Sequence, residues 1–273
     1  MKKSIFLAAS LAVLAFASCS KSDDNENKND VPASDYQLNA DGLTLVKWTN
    51  TNTTTLDMQA DSKLQRVNTI EKDAFKSLNL TSIVFPNSLK EIGESAFAGT
   101  KLTGGVKFNT TSNVVFGKGA FNFSEIVSVQ LPYTTEISNS MFSHCYHLKE
   151  VTFGKVGVIS NGAFHSCYAL TQIDLRGSGV KELGEVAFAS CTALTKVFLP
   201  ASIEKIGDST FGYCKSLQSI TIDALNPPTL TGDIFFGLSA DQIPNIYVPA
   251  ISVSDYKKAA FWSTYAAKIH PKP

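Results

Sequence analysis

A phenylalanine, usually preceded by alanine, returns at Phe75, Phe97, Phe121, Phe142, Phe164, Phe188, Phe211 and Phe235, at spacings of 22, 24, 21, 22, 24, 23 and 24 residues. A period of this length belongs to a chain wound in stacked coils, because one such unit is too short to bury an apolar face by itself. Five places before each marker stands another large apolar residue: Ile70, Ile92, Phe116, Ile137, Ile159, Leu183, Ile206 and Leu230. Five or six places after it an apolar triplet begins, as in Leu148, Val151 and Phe153, then Leu170, Ile173 and Leu175, then Leu194, Val197 and Leu199, then Leu217, Ile220 and Ile222. The last two members of each triplet are one residue apart, the alternation of a short strand with one buried face. Corner residues punctuate the pattern, proline after the strand (Pro86, Pro132, Pro200) and glycine or serine after the isoleucine column (Gly93, Ser138, Ser160, Gly184, Gly207). Each coil therefore reads as strand, corner, second short extended segment, corner, and a helical turn that carries the phenylalanine. Successive coils pair strand to strand at about 4.8 Å, so eight of them make a stack on the order of 38 Å long.

Repeats of this kind have no single globular core, since each coil contacts only its neighbours, and the whole is expected to be one elongated, monomeric domain. The composition, 44% apolar and 18% charged, supplies a buried column. Lysine plus arginine equals aspartate plus glutamate at 24 each, which leaves no basic excess to release counterions from nucleic acid. Nucleic acid is therefore not an expected partner.

The first residues read as a targeting segment. Lys2 and Lys3 precede an apolar run, Ile5 to Ala17, shorter than the roughly 20 residues of a spanning helix. The run ends Phe16-Ala17-Ser18-Cys19 and resembles a bacterial lipoprotein signal, which implies cleavage before Cys19 and acylation of that cysteine. Ser20 to Ser34 has no apolar period and carries Asp23, Asp24, Glu26 and Asp30 among Asn and Lys, so it buries too little surface to offset its ordering entropy. Acidic residues behind the acylated cysteine resemble the export tag of Bacteroidota lipoproteins, which implies an outer-membrane protein facing the cell exterior. The expected organisation is a signal peptide over 1–18, a disordered acidic tether over 19–35, an N-terminal cap over 36–53, the solenoid over 54–245 and a C-terminal cap over 246–273. The only expected membrane contact is the lipid on Cys19.

The line Leu-x-x-Ile-x-Leu-Pro-x-Ser-Ile-x-x-Ile-Gly-x-x-x-Phe-x-x-Cys-x-x-Leu, realised almost whole from Leu194 to Leu217, resembles the BspA-type leucine-rich repeat of bacterial surface proteins. The resemblance covers Thr54 to Ile222 in full coils and weakens at Lys107 to Val115, where Thr110-Thr111-Ser112-Asn113 replaces the proline corner. It implies a leucine-rich-repeat β-solenoid, mainly β, with short parallel strands and helical turns. It also implies adhesion to proteins of a host or neighbouring cell, matrix proteins among them. An extra residue at Gly104-Gly105 suggests a bulge or local kink in the strand from Leu102 to Phe108. Both ends of a stacked sheet need covering. Asp41 to Trp48 reads as a capping strand with Leu43, Leu45 and Trp48 facing inward. Ile246 to Pro249 reads as a last strand, and Ser252 to Ile269 as a helical lid with Val253, Tyr256, Ala260, Trp262, Tyr265 and Ile269 on its inner stripe. The segment from Asn226-Pro227-Pro228 to Tyr256 is similar to the usual C-terminal cap of the same family.

Candidate chemistry is sparse. Cys145, Cys167, Cys191 and Cys214 all stand three places after the marker. They form one column of the stack, expected to be buried free thiols that fill space, with some disulfide as the alternative in an exported protein, although stacked side chains point the same way and do not easily reach disulfide torsions. His144, His147 and His165 fall on the turn after the marker in two adjacent coils, with Tyr146 and Tyr168 in one column. These five residues are the candidate partner-binding patch, because Tyr and His each offer an apolar body with a polar tip. No carboxylate joins them in a metal-ligand pattern. The outward strand positions Gln130, Thr152, Asp174, Phe198 and Thr221, beside Ser128, Glu150, Gln172, Lys196 and Ser219, are mixed in character and mostly uncharged. They suit a polypeptide more than a polyanion. No nucleophile with a paired base, phosphate loop or carboxylate pair rises from the pattern, so no catalysis, cofactor or metal is expected. The expectation is a surface-displayed binding module for a protein or peptide. The alternative is a structural or accessory envelope lipoprotein that binds a glycan or another envelope protein.

Overall fold

The computed structural model describes residues 30–273. The signal segment, Cys19 and the tether up to residue 29 lie outside the described residues. The chain forms a β-solenoid of about ten turns, with a strand face, a column face and a turn face.

The strand face carries the second and third members of each triplet. Its strands are parallel and in register, as where Gln172–Asp174 lies against Lys196–Leu199, which lies against Ser219–Ile222, with Ile173, Val197 and Ile220 as successive partners. The column face is built from even shorter strands in which Ile70 pairs with Ile92, Ile92 with Phe116, Ile137 with Ile159, Ile159 with Leu183, and Leu183 with Ile206. All eight members of this column are buried. Glycine follows the column where coils approach most closely: a Cβ on Gly207 would sit 2.5 Å from the Glu185 nitrogen of the coil before.

The turn face departs from the helical turn expected of it. Residues two before and two after the marker take left-handed backbone, as at Ser140 and His144 around Phe142 (φ 55° and 60°) and at Ser209 and Tyr213 around Phe211 (φ 54° and 57°). A left-handed residue cannot continue a right-handed helix. The segment becomes consecutive tight turns, in which Lys76 N donates to Asp73 O and Leu78 N to Phe75 O, both at 3.2 Å. The remaining amides point to the next coil: Phe75 N donates to Ala96 O, Phe97 N to Ala120 O and Phe164 N to Ala187 O, each at 2.8 Å. On the column face the sense is reversed, with Gly93 N donating back to Ile70 O and Gly184 N to Ile159 O at 2.7 Å.

All eight marker phenylalanines are buried and form one ladder. Ring centroids are 4.8 Å apart from Phe75 to Phe97, 5.2 Å from Phe97 to Phe121, 5.5 Å to Phe142, 5.3 Å to Phe164, 5.2 Å to Phe188 and 5.8 Å to Phe211, all stacked. The step to Phe235 is longer and tilted, at 6.4 Å. Trp48 extends the ladder at its other end, stacked on Phe75 at 5.5 Å with its amide donating to Ala74 O. The cysteine column lies beside this ladder. Each Sγ donates to the carbonyl of the marker in the previous coil, Cys145 to Phe121, Cys167 to Phe142, Cys191 to Phe164 and Cys214 to Phe188, at 3.1–3.3 Å. All four are free thiols, and burial pushes each of them up, Cys145 and Cys214 to about 12. A thiol reagent at pH 8 therefore adds to none of these four in the folded protein and to all four in denaturant, since the reactive species is the thiolate. Mass spectrometry of the adducts checks this.

The caps differ in detail from expectation. Thr44–Trp48 buries Leu45 and Trp48, while Leu43 falls just before the strand and is half-buried, and the strand pairs antiparallel with Tyr36–Leu38, which carries no repeat signature. Order begins before residue 36. Asp30 accepts from Ser62 N and Oγ, and the fully buried Asp61 accepts from Val31 N, Lys63 N and Leu64 N at 2.7–2.8 Å, so the end of the acidic segment is fastened to the first coil. At the other end the expected continuous lid is broken. A six-residue helix, Val253–Lys258, is followed by a 3-10 segment, Trp262–Lys268, with Phe261 in left-handed backbone between them (φ 62°) and Ala260 exposed. The chain then adds a last parallel strand, Ile269–Pro271, against Asn245–Val248. Three buried aromatics fasten the lid through their polar tips: Tyr256 to Ala224 O (2.9 Å), Trp262 to Pro228 O (2.8 Å) and Tyr265 to Asp233 Oδ1 (2.7 Å).

Instead of a bulge at Gly104-Gly105, the strand face is divided. Thr55–Asp57 pairs only with Ser82–Val84. Gly105–Lys107, Ser128–Gln130 and Glu150–Thr152 form a second sheet, and Gln172–Asp174 begins a third. Gly105–Lys107 holds straight register with Ser128–Gln130, so the extra residue is taken up ahead of the strand.

Candidate functional site

Side chains that leave the stack on the turn face gather around three successive coils. The second place after the marker is left-handed and holds Phe123, His144 and Ser166 in successive coils, while the fourth place holds Tyr146 and Tyr168. His144 stacks on Phe123 at 4.5 Å and meets His165 edge-on at 5.2 Å and Tyr146 edge-on at 5.9 Å. Tyr146 and Tyr168 stack at 5.1 Å with planes 17° apart. Phe123, Tyr146 and Tyr168 are 53%, 41% and 45% exposed, respectively, so a connected aromatic surface faces solvent.

The structure thus brings together His144, Tyr146, His165 and Tyr168. His147 is exposed and stands outside these ring contacts. Two members were missed in the sequence. Phe123 shares its place in the repeat with His144, and that shared place was the available signal. Val186 is 37% exposed, in left-handed backbone at φ 49°, with its Cγ2 and the His165 Cβ both close to Gly162. Left-handed backbone at a β-branched residue costs about 1–2 kcal/mol, and only coordinates reveal it. A second exposed pair on this face, Tyr213 and Phe236, meets edge-on at 5.7 Å.

Ser143 Oγ lies 2.8 Å from His144 Nδ1, and Ser166 Oγ lies 3.2 Å from His165 Nδ1. These neutral partners leave the imidazoles without a carboxylate. Burial pulls the pKa of His144 below its ordinary value, and burial followed by the neighbouring His144 does the same to His165. The sign follows. The unfolded chain takes up these protons first as pH falls, so the stability is whole above the ordinary histidine value of about 6.5 and drains as pH drops through the depressed folded values. Proton NMR titration is expected to place both midpoints below 6.5, with the urea midpoint falling over the same window. Among the described residues no group of three or more His, Cys, Asp or Glu is placed to hold a metal ion.

The repeat columns invite comparison with known proteins. A family model for the BspA type leucine rich repeat region matches in six copies over residues 49–170 and 135–268. No curated protein matches the chain. Among solved structures the chain is similar to a leucine-rich repeat protein of T. pallidum, at 19% identity over 88% of this chain and 95% of that one, with a TM-score of 0.47. It is also similar to a leucine rich cell surface protein of Faecalibacterium prausnitzii A2-165 (18% identity, 87% and 96% covered, TM-score 0.43) and to a leucine-rich repeat protein of Bacteroides ovatus ATCC 8483 (16%, 85% and 88%, 0.28). The matched stretches take in more than half of the sequence and span the buried phenylalanine, isoleucine and cysteine columns: the chain belongs to the BspA-type leucine-rich repeat family.

Proposed function

We propose that this protein is a non-catalytic binding module, held by a lipid on Cys19 at the outer face of the outer membrane, that engages a protein partner through the aromatic patch on its turn face. The observation that carries the reading is the exposed, connected set Phe123, His144, Tyr146 and Tyr168. The marker ladder is buried, whereas Phe123, Tyr146 and Tyr168 are exposed, and the second exposed pair, Tyr213 and Phe236, is smaller. Exposed aromatic groups of this kind suit interfaces, where Tyr supplies apolar area with one polar tip and few rotors to freeze. A protein suits the patch better than a flat sugar ring does. Tyr146 and Tyr168 stack on one another, so one face of each ring is already covered and less ring surface is left for a sugar to lie on.

The test uses a photo-crosslinking residue at Phe123, with another at Thr221 on the strand face as control, on cells that display the protein. Partner capture is expected at Phe123, and Tyr146→Ala with Tyr168→Ala is expected to weaken binding of the captured protein about 30-fold, the scale of an interface hot spot. Equal binding by the double variant overturns the patch. Loss of fatty-acid labelling in Cys19→Ser, and protease shaving of intact cells read with an antibody to residues 250–273, test the anchor and the display.

A further inference from the structure

Farther along the turn face a second pair of rings leaves the stack, Tyr213 and Phe236, 44% and 51% exposed. Tyr213 takes left-handed backbone (φ 57°), and its amide donates to Phe236 O at 2.9 Å, so the two coils are fixed to one another at the pair. The Tyr213 ring leans over the next coil, where a Cβ on Gly237 would lie 2.4 Å from its Cε1. Any side chain at that place would displace the ring. Glycine, itself left-handed here at φ 79°, lets the ring lie across the junction.

Carboxylates line the edge of the turn face in these coils. Glu185, Asp208 and Asp233 are exposed and stand in three successive coils, joined by Val186 N to Asp208 O and Ser209 N to Asp233 O at 3.0 Å. None of the three forms an ion pair among the described residues. Lys181 and Lys205, earlier in the same coils, are engaged by Glu204 and Glu182 at 2.9 and 2.7 Å, and Lys215 lines a separate cleft with Asp241 and Lys268. Asp233 accepts from neutral donors, Tyr265 OH at 2.7 Å and Phe235 N at 2.9 Å. Elsewhere the third place before the marker is balanced or neutral: Lys72 pairs with Glu94 at 3.2 Å, and Lys118, Asn139 and Asn161 follow. Uncompensated negative charge on this edge therefore coincides with the second ring pair. Like charges in neighbouring coils repel, a cost that a cation from outside would relieve.

We propose that this ring pair and its acidic edge form a second docking surface, which takes a basic segment of a protein partner, with an arginine laid on the exposed rings and further cationic side chains against Glu185, Asp208 and Asp233. A guanidinium plane stacks on aromatic faces and pairs with carboxylates in a planar fork, so arginine satisfies both halves of the surface better than lysine does. The three carboxylates span two coil steps, about 10 Å, the reach of three extended residues. A segment with basic residues at alternate places fits that length. The surface lies two coils beyond Tyr168 and does not depend on the aromatic patch, so it stands if that patch binds nothing.

The test is fluorescence anisotropy at low salt on the purified protein with two labelled heptapeptides, Gly and Ser carrying either arginine or glutamate at alternate places. The arginine peptide is expected to bind about tenfold more tightly than the glutamate peptide, and to weaken as salt screens the pairs. Glu185→Gln with Asp208→Asn is expected to lose about fivefold in affinity, the scale of two exposed ion pairs. Tyr213→Ala with Phe236→Ala is expected to lose about as much through the missing ring faces. All four positions are exposed, so circular dichroism should match the parent in both variants, and Asp233 is left intact because it also holds Tyr265. Tyr146→Ala with Tyr168→Ala is expected to bind the arginine peptide as the parent does. Equal binding of the two peptides, unchanged affinity in the charge variant or the ring variant, or a loss in the Tyr146 and Tyr168 variant overturns the proposal.

Discussion

Replacing Phe164 by alanine is expected to cost the stack about 3–5 kcal/mol, the range for a large ring removed from a core. Phe164 lies between Phe142 and Phe188 at 5.3 and 5.2 Å, and the edge of Phe153 reaches it at 6.0 Å, so the vacated space has walls on three sides. Those walls cannot close on it, because each ring is fixed by main-chain bonds to its own neighbours. In a linear array with nearest-neighbour coupling such a gap also uncouples the two halves. The strand face is already unpaired at this level, between Glu150–Thr152 and Gln172–Asp174. Urea denaturation followed by circular dichroism should show two transitions in the variant against one in the parent. Phe123→Ala, on the exposed row, should stay within about 0.5 kcal/mol, as surface changes do. A single transition at the parent's midpoint would contradict the ladder's role.

The second large effect is expected at the lid. Trp262 is buried, donates to Pro228 O and meets Tyr256 edge-on at 5.2 Å. Trp262→Ala should cost about 3–5 kcal/mol, borne by the last coils. The lid positions Ile269–Pro271, the final strand, which is short and contains a proline, a blunt end for a sheet. Once it is loosened, Asn245–Val248 becomes the edge, with Ile246 and Val248 in a four-residue strand open to another copy. Light scattering should then find concentration-dependent association that the parent lacks. Ile251→Ala, at an 82% exposed position of the same cap, should do neither.

The buried columns were legible because their physical cause is periodic. A ring that must meet the ring above it recurs at the coil length, and the same holds for the isoleucines and for the cysteines, which need a small side chain able to reach one carbonyl. Features set by backbone sign or by a single coil were not legible. Serine, histidine, phenylalanine, tyrosine and valine all occupy left-handed places around the markers, so no residue type announced that the expected helical turn is a run of tight turns. Tyr36–Leu38 and the break at Phe261 occur once each and have no repeat to amplify them. Of the aromatic patch, His144, Tyr146, His165 and Tyr168 were visible through their columns. Phe123 could have been found by the repeat place it shares with His144, while Val186 needed the turn geometry that aims it outward. The division of the strand face was invisible, because Val151 and Phe153 satisfy the strand pattern as well as their buried counterparts do.

The described residues begin at the Asp61 clamp and end beside the final strand, at opposite ends of the stack. Tension applied between those ends acts across the strands, so it peels bonds in succession and does not shear them together. The molecule is therefore a spring that lengthens in steps, each releasing a coil of 21 to 24 residues, or about 75 Å of extended backbone. Peeling is expected to start at a level where neighbouring coils leave their strands unpaired, as they do between Glu150–Thr152 and Gln172–Asp174.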